Sequence, residues 1–136
     1  MSTIQDDVYD VHKSTIPNAG KGLFAHRTFT KGEVVGEYTG HWTWINDDVF
    51  DVDTINNTGY ILQYSKGVYI DGDPSKYPDK TSPVSYINTL KKQSSDKKYN
   101  TRICIDRIRK RVLIRATRTV CKGEEFFLNY QLNIFW

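Results

Sequence analysis

Apolar and polar residues alternate along this chain in short runs separated by turn residues, and no long stretch carries a helical period. Residues 8–13 alternate with the period of a strand, and Pro17-Asn18-Ala19-Gly20 after them predicts a turn. Gly22-Leu23-Phe24-Ala25 is a brief apolar run, and the Lys31-Gly32 turn leads into a β-rich stretch over 34–38. Residues 41–58 read as polar and irregular, with a short helical turn expected over 44–50. Segments 60–64 and 68–71 predict a hairpin around Ser65-Lys66-Gly67. A loop holding Pro74, Pro78 and Pro83 follows, and 85–90 fits either a short helix or an irregular thread. Residues 102–105 and 111–116 pair as a hairpin across the basic turn from Arg107 to Lys110. A second Lys-Gly turn, Lys122-Gly123, precedes 125–130. The pattern is that of a mostly-β domain with little helix. No repeat longer than a Lys-Gly-Glu turn stands out.

Length and composition narrow this further. A chain of 136 residues is the size of one domain, and 38% hydrophobic with 26% charged residues is globular rather than disordered. Nothing approaches the roughly 18 consecutive apolar residues of a membrane span. The acidic start Met1-Ser2-Thr3-Ile4-Gln5-Asp6-Asp7 is no signal peptide, so an intracellular, non-secreted protein is expected. Cys104 and Cys121 lack metal-site spacing, so they are expected as packed reduced thiols with no structural metal. The net charge of +3 hides an asymmetry. Residues 41–80 hold seven aspartates against three lysines, whereas 91–122 hold twelve Lys or Arg against two aspartates. An acidic middle and a basic C-terminal third bear on partners, not on fold.

Three runs carry the candidate chemistry: Gly20-Lys21-Gly22-Leu23-Phe24-Ala25, then Lys31-Gly32-Glu33-Val34-Val35-Gly36-Glu37-Tyr38-Thr39-Gly40, and finally Ala116-Thr117-Arg118-Thr119-Val120-Cys121-Lys122-Gly123-Glu124-Glu125-Phe126-Phe127-Leu128-Asn129-Tyr130. In this order they resemble the signatures of the SET-domain family of protein lysine methyltransferases. Tyr69-Ile70-Asp71-Gly72 and Ser85-Tyr86-Ile87-Asn88-Thr89-Leu90 match the family's middle. The resemblance covers about residues 10–136 and implies one SET domain over 1–136. Its fold would be small curled β-sheets, with a C-terminal segment passing under a knot-like thread at Asn88.

The resemblance implies S-adenosylmethionine as cofactor and a lysine side chain as methyl acceptor, entering a narrow channel from opposite faces. Tyr130 would be the active-site tyrosine, with Tyr38 as a second catalytic residue. Tyr60 and Leu128 would line the substrate channel. Cofactor would lie along Gly20, Lys21 and Gly22, where missing side chains permit close approach, and contact Tyr86 and Asn88. Trp136 or Phe135 would stack on its adenine. Such chemistry needs a neutral amine, although free lysine titrates near about 10.4. Desolvation and a neighbouring positive charge both lower that value, and tyrosine rings exclude water while tolerating a cation. The chain departs from the family at Thr89, where histidine is usual, and at Leu128, where an aromatic residue commonly governs how many methyl groups fit.

The acidic stretch 41–80 falls where SET domains place the variable insert that grips substrate. Its charge points toward a basic protein or peptide such as a histone tail. Two other readings stand beside this one. The domain is a catalytically silent binding module for a basic peptide, or the turn from Arg107 to Arg111 contacts nucleic acid. A freestanding chain of this kind finds its substrate by itself or as a homodimer.

Overall fold

A computed structural model describes residues 8–44, 60–90 and 97–130. Among them eight strands form three small antiparallel sheets. β1 (Tyr9–Lys13) pairs with β2 (Lys21–Ala25), and β8 (Arg111–Ala116) runs between β3 (Val34–Glu37) and β7 (Thr101–Asp106). In the third sheet β6 (Val68–Asp71) runs between β4 (His41–Trp44) and β5 (Ile61–Ser65). One short 3₁₀ helix, Pro83–Tyr86, starts on proline, whose fixed φ suits a first turn. The expected fold class, mostly β with little helix, is what the chain adopts.

The strands meet over a shared core. Leu23, Phe29, Val112, Ile114, Val120, Phe126 and Leu128 are each fully buried there. In β8 the alternation is complete: Val112, Ile114 and Ala116 face inward while Arg111 is exposed. The β5–β6 hairpin turns at Gly67, whose φ of +77° suits glycine.

The structure corrects three expectations. Residues 41–44 are a strand, not irregular chain or the start of a helical turn: Trp42 and Trp44 share a face, and Trp42 packs on Tyr64 with ring centroids 4.9 Å apart. The rest of the expected 44–50 turn lies outside the described residues. Cys121 is exposed instead of packed, and Cys104 is half-buried.

The third correction concerns internal repetition, which extends well beyond Lys-Gly-Glu. Residues 25–33 (Ala-His-Arg-Thr-Phe-Thr-Lys-Gly-Glu) and 116–124 (Ala-Thr-Arg-Thr-Val-Cys-Lys-Gly-Glu) form matching arches. Each is closed by the other's backbone. Gly32 N donates to Ala116 O at 2.8 Å and Gly123 N to Ala25 O at 2.7 Å. Ala116 N donates to Glu33 O at 2.9 Å, and Ala25 N to Glu124 O at 2.8 Å. At the centre Phe29 and Val120 exchange both of their backbone hydrogen bonds. Gly32 and Gly123 hold the same left-handed turn, with φ of +87° and +93°. Arg27 pairs with Glu33 and Arg118 with Glu124, repeating the arrangement in side chains. A pseudo-two-fold relation therefore organises the centre of the molecule.

Beyond the second arch the chain threads between two other segments. Phe127 bridges Asn88 and Leu128 bridges Thr101, both in parallel. Asn100, almost wholly buried, clamps the threaded segment: its Nδ2 donates to Glu125 O at 2.9 Å and its Oδ1 accepts from Phe127 N at 2.8 Å. This is the expected knot-like passage.

Candidate active site

Each arch delivers a tyrosine to one place. Tyr38 follows β3 and remains tied to β8 through Tyr38 N donating to Val112 O at 2.8 Å. Its ring is 1% exposed. Tyr130 ends the threaded segment, and its hydroxyl donates to Ile87 O at 2.7 Å. The two rings meet edge to face with centroids 6.2 Å apart. The Tyr38 hydroxyl in turn donates to Tyr60 O. Tyr38, Tyr60 and Tyr130, far apart in sequence, thus form one cluster.

Gly72 makes the packing around Tyr38 feasible. A Cβ there would sit 2.6 Å from the Tyr38 hydroxyl oxygen, so no side chain fits without moving the ring. Gly72 N also donates to Tyr60 O at 2.9 Å, so one carbonyl receives both groups. Sequence reasoning placed Gly72 in a family motif without seeing this role. The signal was a glycine directly after the apolar strand Val68–Asp71.

Burial and nearby anionic groups decide the protonation state. Desolvation holds the Tyr38 hydroxyl well above its ordinary value of 10.0, with Tyr130 and the Asp71 carboxylate acting in the same sense. Desolvation likewise pushes Tyr130 far up, and Tyr60 is raised by desolvation and then by Asp73. All three hydroxyls are therefore neutral across the physiological range. Those of Tyr38 and Tyr130 spend their proton on a backbone carbonyl, which leaves oxygen lone pairs to accept from a cation or an amine N–H. The cluster is a neutral, dehydrated acceptor site with carboxylates nearby. It is not a site for a tyrosinate base.

Part of the expected cofactor set lies beside it. Gly20 takes φ of +76°, with nothing within 4 Å of where a Cβ would stand, so its backbone is open to a ligand. Asn88 Nδ2 donates to Lys21 O at 3.0 Å, which fixes the Gly20-Lys21-Gly22 run and leaves the Asn88 Oδ1 available. Asn88 directly follows Ile87, the acceptor of the Tyr130 hydroxyl, so the Gly20-Lys21-Gly22 run and the tyrosine cluster are tied to one backbone segment. Tyr86 is half-buried and stands near enough to Tyr60 to raise it. Leu128 is fully buried in the core cluster, with its N–H donating to Asn88 O at 3.1 Å. Trp136 and Phe135 lie outside the described residues.

Two residues missed by sequence reasoning position this site. Glu125, 6% exposed, accepts from Ser14 Oγ at 2.6 Å and from Thr15 N and Oγ1 at 2.9 and 2.6 Å. It also lies against Gly22, where a Cβ would come within 2.3 Å of its carboxylate. Glu125 thereby binds the loop before Gly20-Lys21-Gly22 to the threaded segment. Asn100 is the other, and nothing in its sequence neighbourhood marked it. A separate cleft of about 220 Å³, lined by Phe24, Asn100, Arg118, Glu124 and Phe127 among others, contains none of the site tyrosines.

Sheets, threaded segment and tyrosine cluster together define a SET domain. The chain belongs to that family: the SET-domain profile matches residues 20–131. No curated protein matches it at a significant level. Among solved structures it is similar to a chain of ctPRC2 in an autoinhibited conformation bound to S-adenosylmethionine. That match has a TM-score of 0.69 and 25% identity, over 96% of this chain and 16% of that one. It is also similar to the methyltransferase domain of human PR domain-containing protein 2, with a TM-score of 0.64 and 17% identity over 91% of this chain and 77% of that one. The chain spans about 16% of the length of the ctPRC2 chain it matches. The second likeness bears on fold alone.

Proposed function

We propose that the chain is a protein-lysine N-methyltransferase using S-adenosylmethionine, acting on a basic protein such as a histone. The observation that carries this reading is the convergence of Tyr38, Tyr60 and Tyr130 beside the Gly20-Lys21-Gly22 run held by Asn88. The ctPRC2 structure to which the chain is similar is bound to S-adenosylmethionine. When bound, that cofactor supplies a methyl group on a positively charged sulfonium, so transfer to an amine is a single in-line displacement.

The chain's own residues fit this chemistry. The backbone at Gly20, the Oδ1 of Asn88 and the side chain of Tyr86 would hold the cofactor, and Trp136 would cover its adenine. Tyr38 and Tyr130 enclose the target amine, exclude water and disfavour its charged form. Their oxygen lone pairs accept its N–H groups and receive the positive charge that develops on nitrogen. Tyr60 completes the channel wall, whereas Leu128 is fully buried in the core. Asp73 stands close enough to Tyr38 and Tyr60 to influence both, and Asp71 to influence Tyr38, so the two carboxylates favour a cationic side chain beside the cluster. Thr89, which replaces the usual histidine, comes within 3.3 Å of the Tyr99 hydroxyl, and that hydroxyl donates to Leu90 O at 2.7 Å. Tyr99 therefore braces the thread at the position where histidine is usual.

Transfer of labelled methyl from S-adenosylmethionine to mixed core histones tests the proposal. The expected result is label on lysine, with Tyr130→Phe lowering kcat by about 10²-fold, the scale of one lost transition-state contact. Absence of label on histones and on other basic proteins, from protein that binds the cofactor, would overturn it in favour of the silent module.

A further inference from the structure

The β7–β8 hairpin carries more positive charge than the carboxylates around it neutralise. Arg102 and Arg115 stand directly opposite in the register. Like charges placed so destabilise a two-stranded ribbon. Arg102 is exposed and, among the described residues, has no ion pair. Arg115 donates to Gly32 O at 2.9 Å, which fixes the guanidinium without neutralising it. Toward the tip Arg111 pairs with Glu37 at 3.2 Å, whereas Arg109 reaches Asp106 only at 3.5 Å.

The tip itself is built to present an apolar side chain. Asp106 Oδ1 accepts from both Ile108 N and Arg109 N at 3.1 Å. The Arg107 guanidinium lies over the Tyr64 ring, 5.4 Å from its centroid, which props the tip against β5. Lys110 closes the turn at φ of +55°, a conformation that glycine adopts without strain, yet the position carries a cation. On this stiff turn Ile108 is 97% exposed, flanked by Arg107 and Arg109. An isoleucine held in water between arginines serves no core.

We infer that this hairpin is a duplex-DNA-binding arm: Arg102, Arg109, Lys110 and Arg115 contact backbone phosphates, and Ile108 wedges against base steps in the minor groove. Six-residue strands give a ribbon about 20 Å long at roughly 3.4 Å per residue, which spans several phosphates of a duplex. Apolar wedges beside Arg and Lys are how minor-groove proteins grip and bend DNA. Phosphate charge also relieves the Arg102–Arg115 repulsion. An acidic protein surface shares the charge complementarity, but it offers no stacked base step for a wedge.

The test is fluorescence anisotropy with a fluorescein-labelled, mixed-sequence duplex of about 20 base pairs across a salt series, without cofactor or methyl acceptor. Its outcome is thus independent of the proposed methyl transfer. Wild-type protein is expected to bind with a steep log–log salt dependence. Arg102→Glu with Lys110→Glu should lose tenfold or more in affinity and flatten the slope by about 2. Ile108→Ser should weaken binding about threefold to tenfold with the slope unchanged, and abolish duplex bending read by end-to-end energy transfer. Arg102→Glu should melt no lower than wild type, because it turns a cross-strand repulsion into an attraction, so lost binding is not lost folding. Equal binding by wild type and the double reversal would overturn the arm. So would displacement of the duplex by polyglutamate at equal charge, which would point to an acidic protein. An Ile108→Ser protein that binds and bends like wild type would overturn the wedge.

Discussion

The two arches, 25–33 and 116–124, begin from nearly the same sequence and make the same hydrogen bonds, yet they part at the next residue. After Glu33 comes Val34, which is 38% exposed; after Glu124 comes Glu125, which is 6% exposed and holds Ser14 and Thr15. One arch leads into an ordinary strand, with Tyr38 just after it. The other leads into the threaded segment ending at Tyr130. A repeated scaffold thus sets two candidate-site tyrosines in place, while the residue just beyond it determines which copy secures the Ser14-Thr15 loop.

The strongest way to break that comparison is at the point of divergence. Glu125→Ala leaves the Ser14 and Thr15 donors without their acceptor and should cost about 3 kcal/mol, against less than about 0.5 kcal/mol for Val34→Ala. Equal losses in urea unfolding would mean that the carboxylate is not what fixes the loop. The tyrosines give the next contrast. Their folded values lie above the ordinary 10.0 of an unfolded tyrosine, so the native state keeps protons the unfolded state loses. Stability from this source is fully present below pH 10 and falls as pH rises beyond it. Unfolding followed from pH 9 upward should show this decline, and Tyr130→Phe should reduce its steepness. A wild-type curve flat to pH 11 would refute the burial of both hydroxyls.

Where the arches agree, substitutions should agree. Gly32→Ala and Gly123→Ala each force a Cβ into the left-handed region with open space around it, so both should cost about 1 kcal/mol. Melting temperatures that differ widely between them would break the pseudo-two-fold relation. Smallest of all are Arg27→Ala and Arg118→Ala, whose carboxylate pairs are largely solvated. Each should change stability by at most about 0.5 kcal/mol, with salt erasing the difference.

Much of this was visible in the residues. A strand's period located 8–13, a β-rich run located 34–38 and hairpin pairing located 111–116, the last of which places every second side chain inside. The family resemblance named Tyr38, Tyr60, Tyr130 and Asn88 as site candidates, and these four lie near one another. His41–Trp44 escaped notice because its alternation is short, and its partner β6 lies beyond a long acidic stretch. The arch repeat was hidden by changes at its centre, where Phe29 and Val120 differ in type but share one bridge.

Glu125 and Asn100 were illegible for a different reason: a carboxylate or carboxamide reads as surface until the fold wraps donors around it. Local sequence determined the strands, the two glycine turns and the candidate tyrosines, since these rest on period, φ preference and motif order. Only the tertiary structure decided which polar groups are buried and paired, that Gly72 must be bare beside Tyr38, and that Ile108 stands in solvent. Those are properties of distance between remote segments, and no residue's neighbours in sequence carry them.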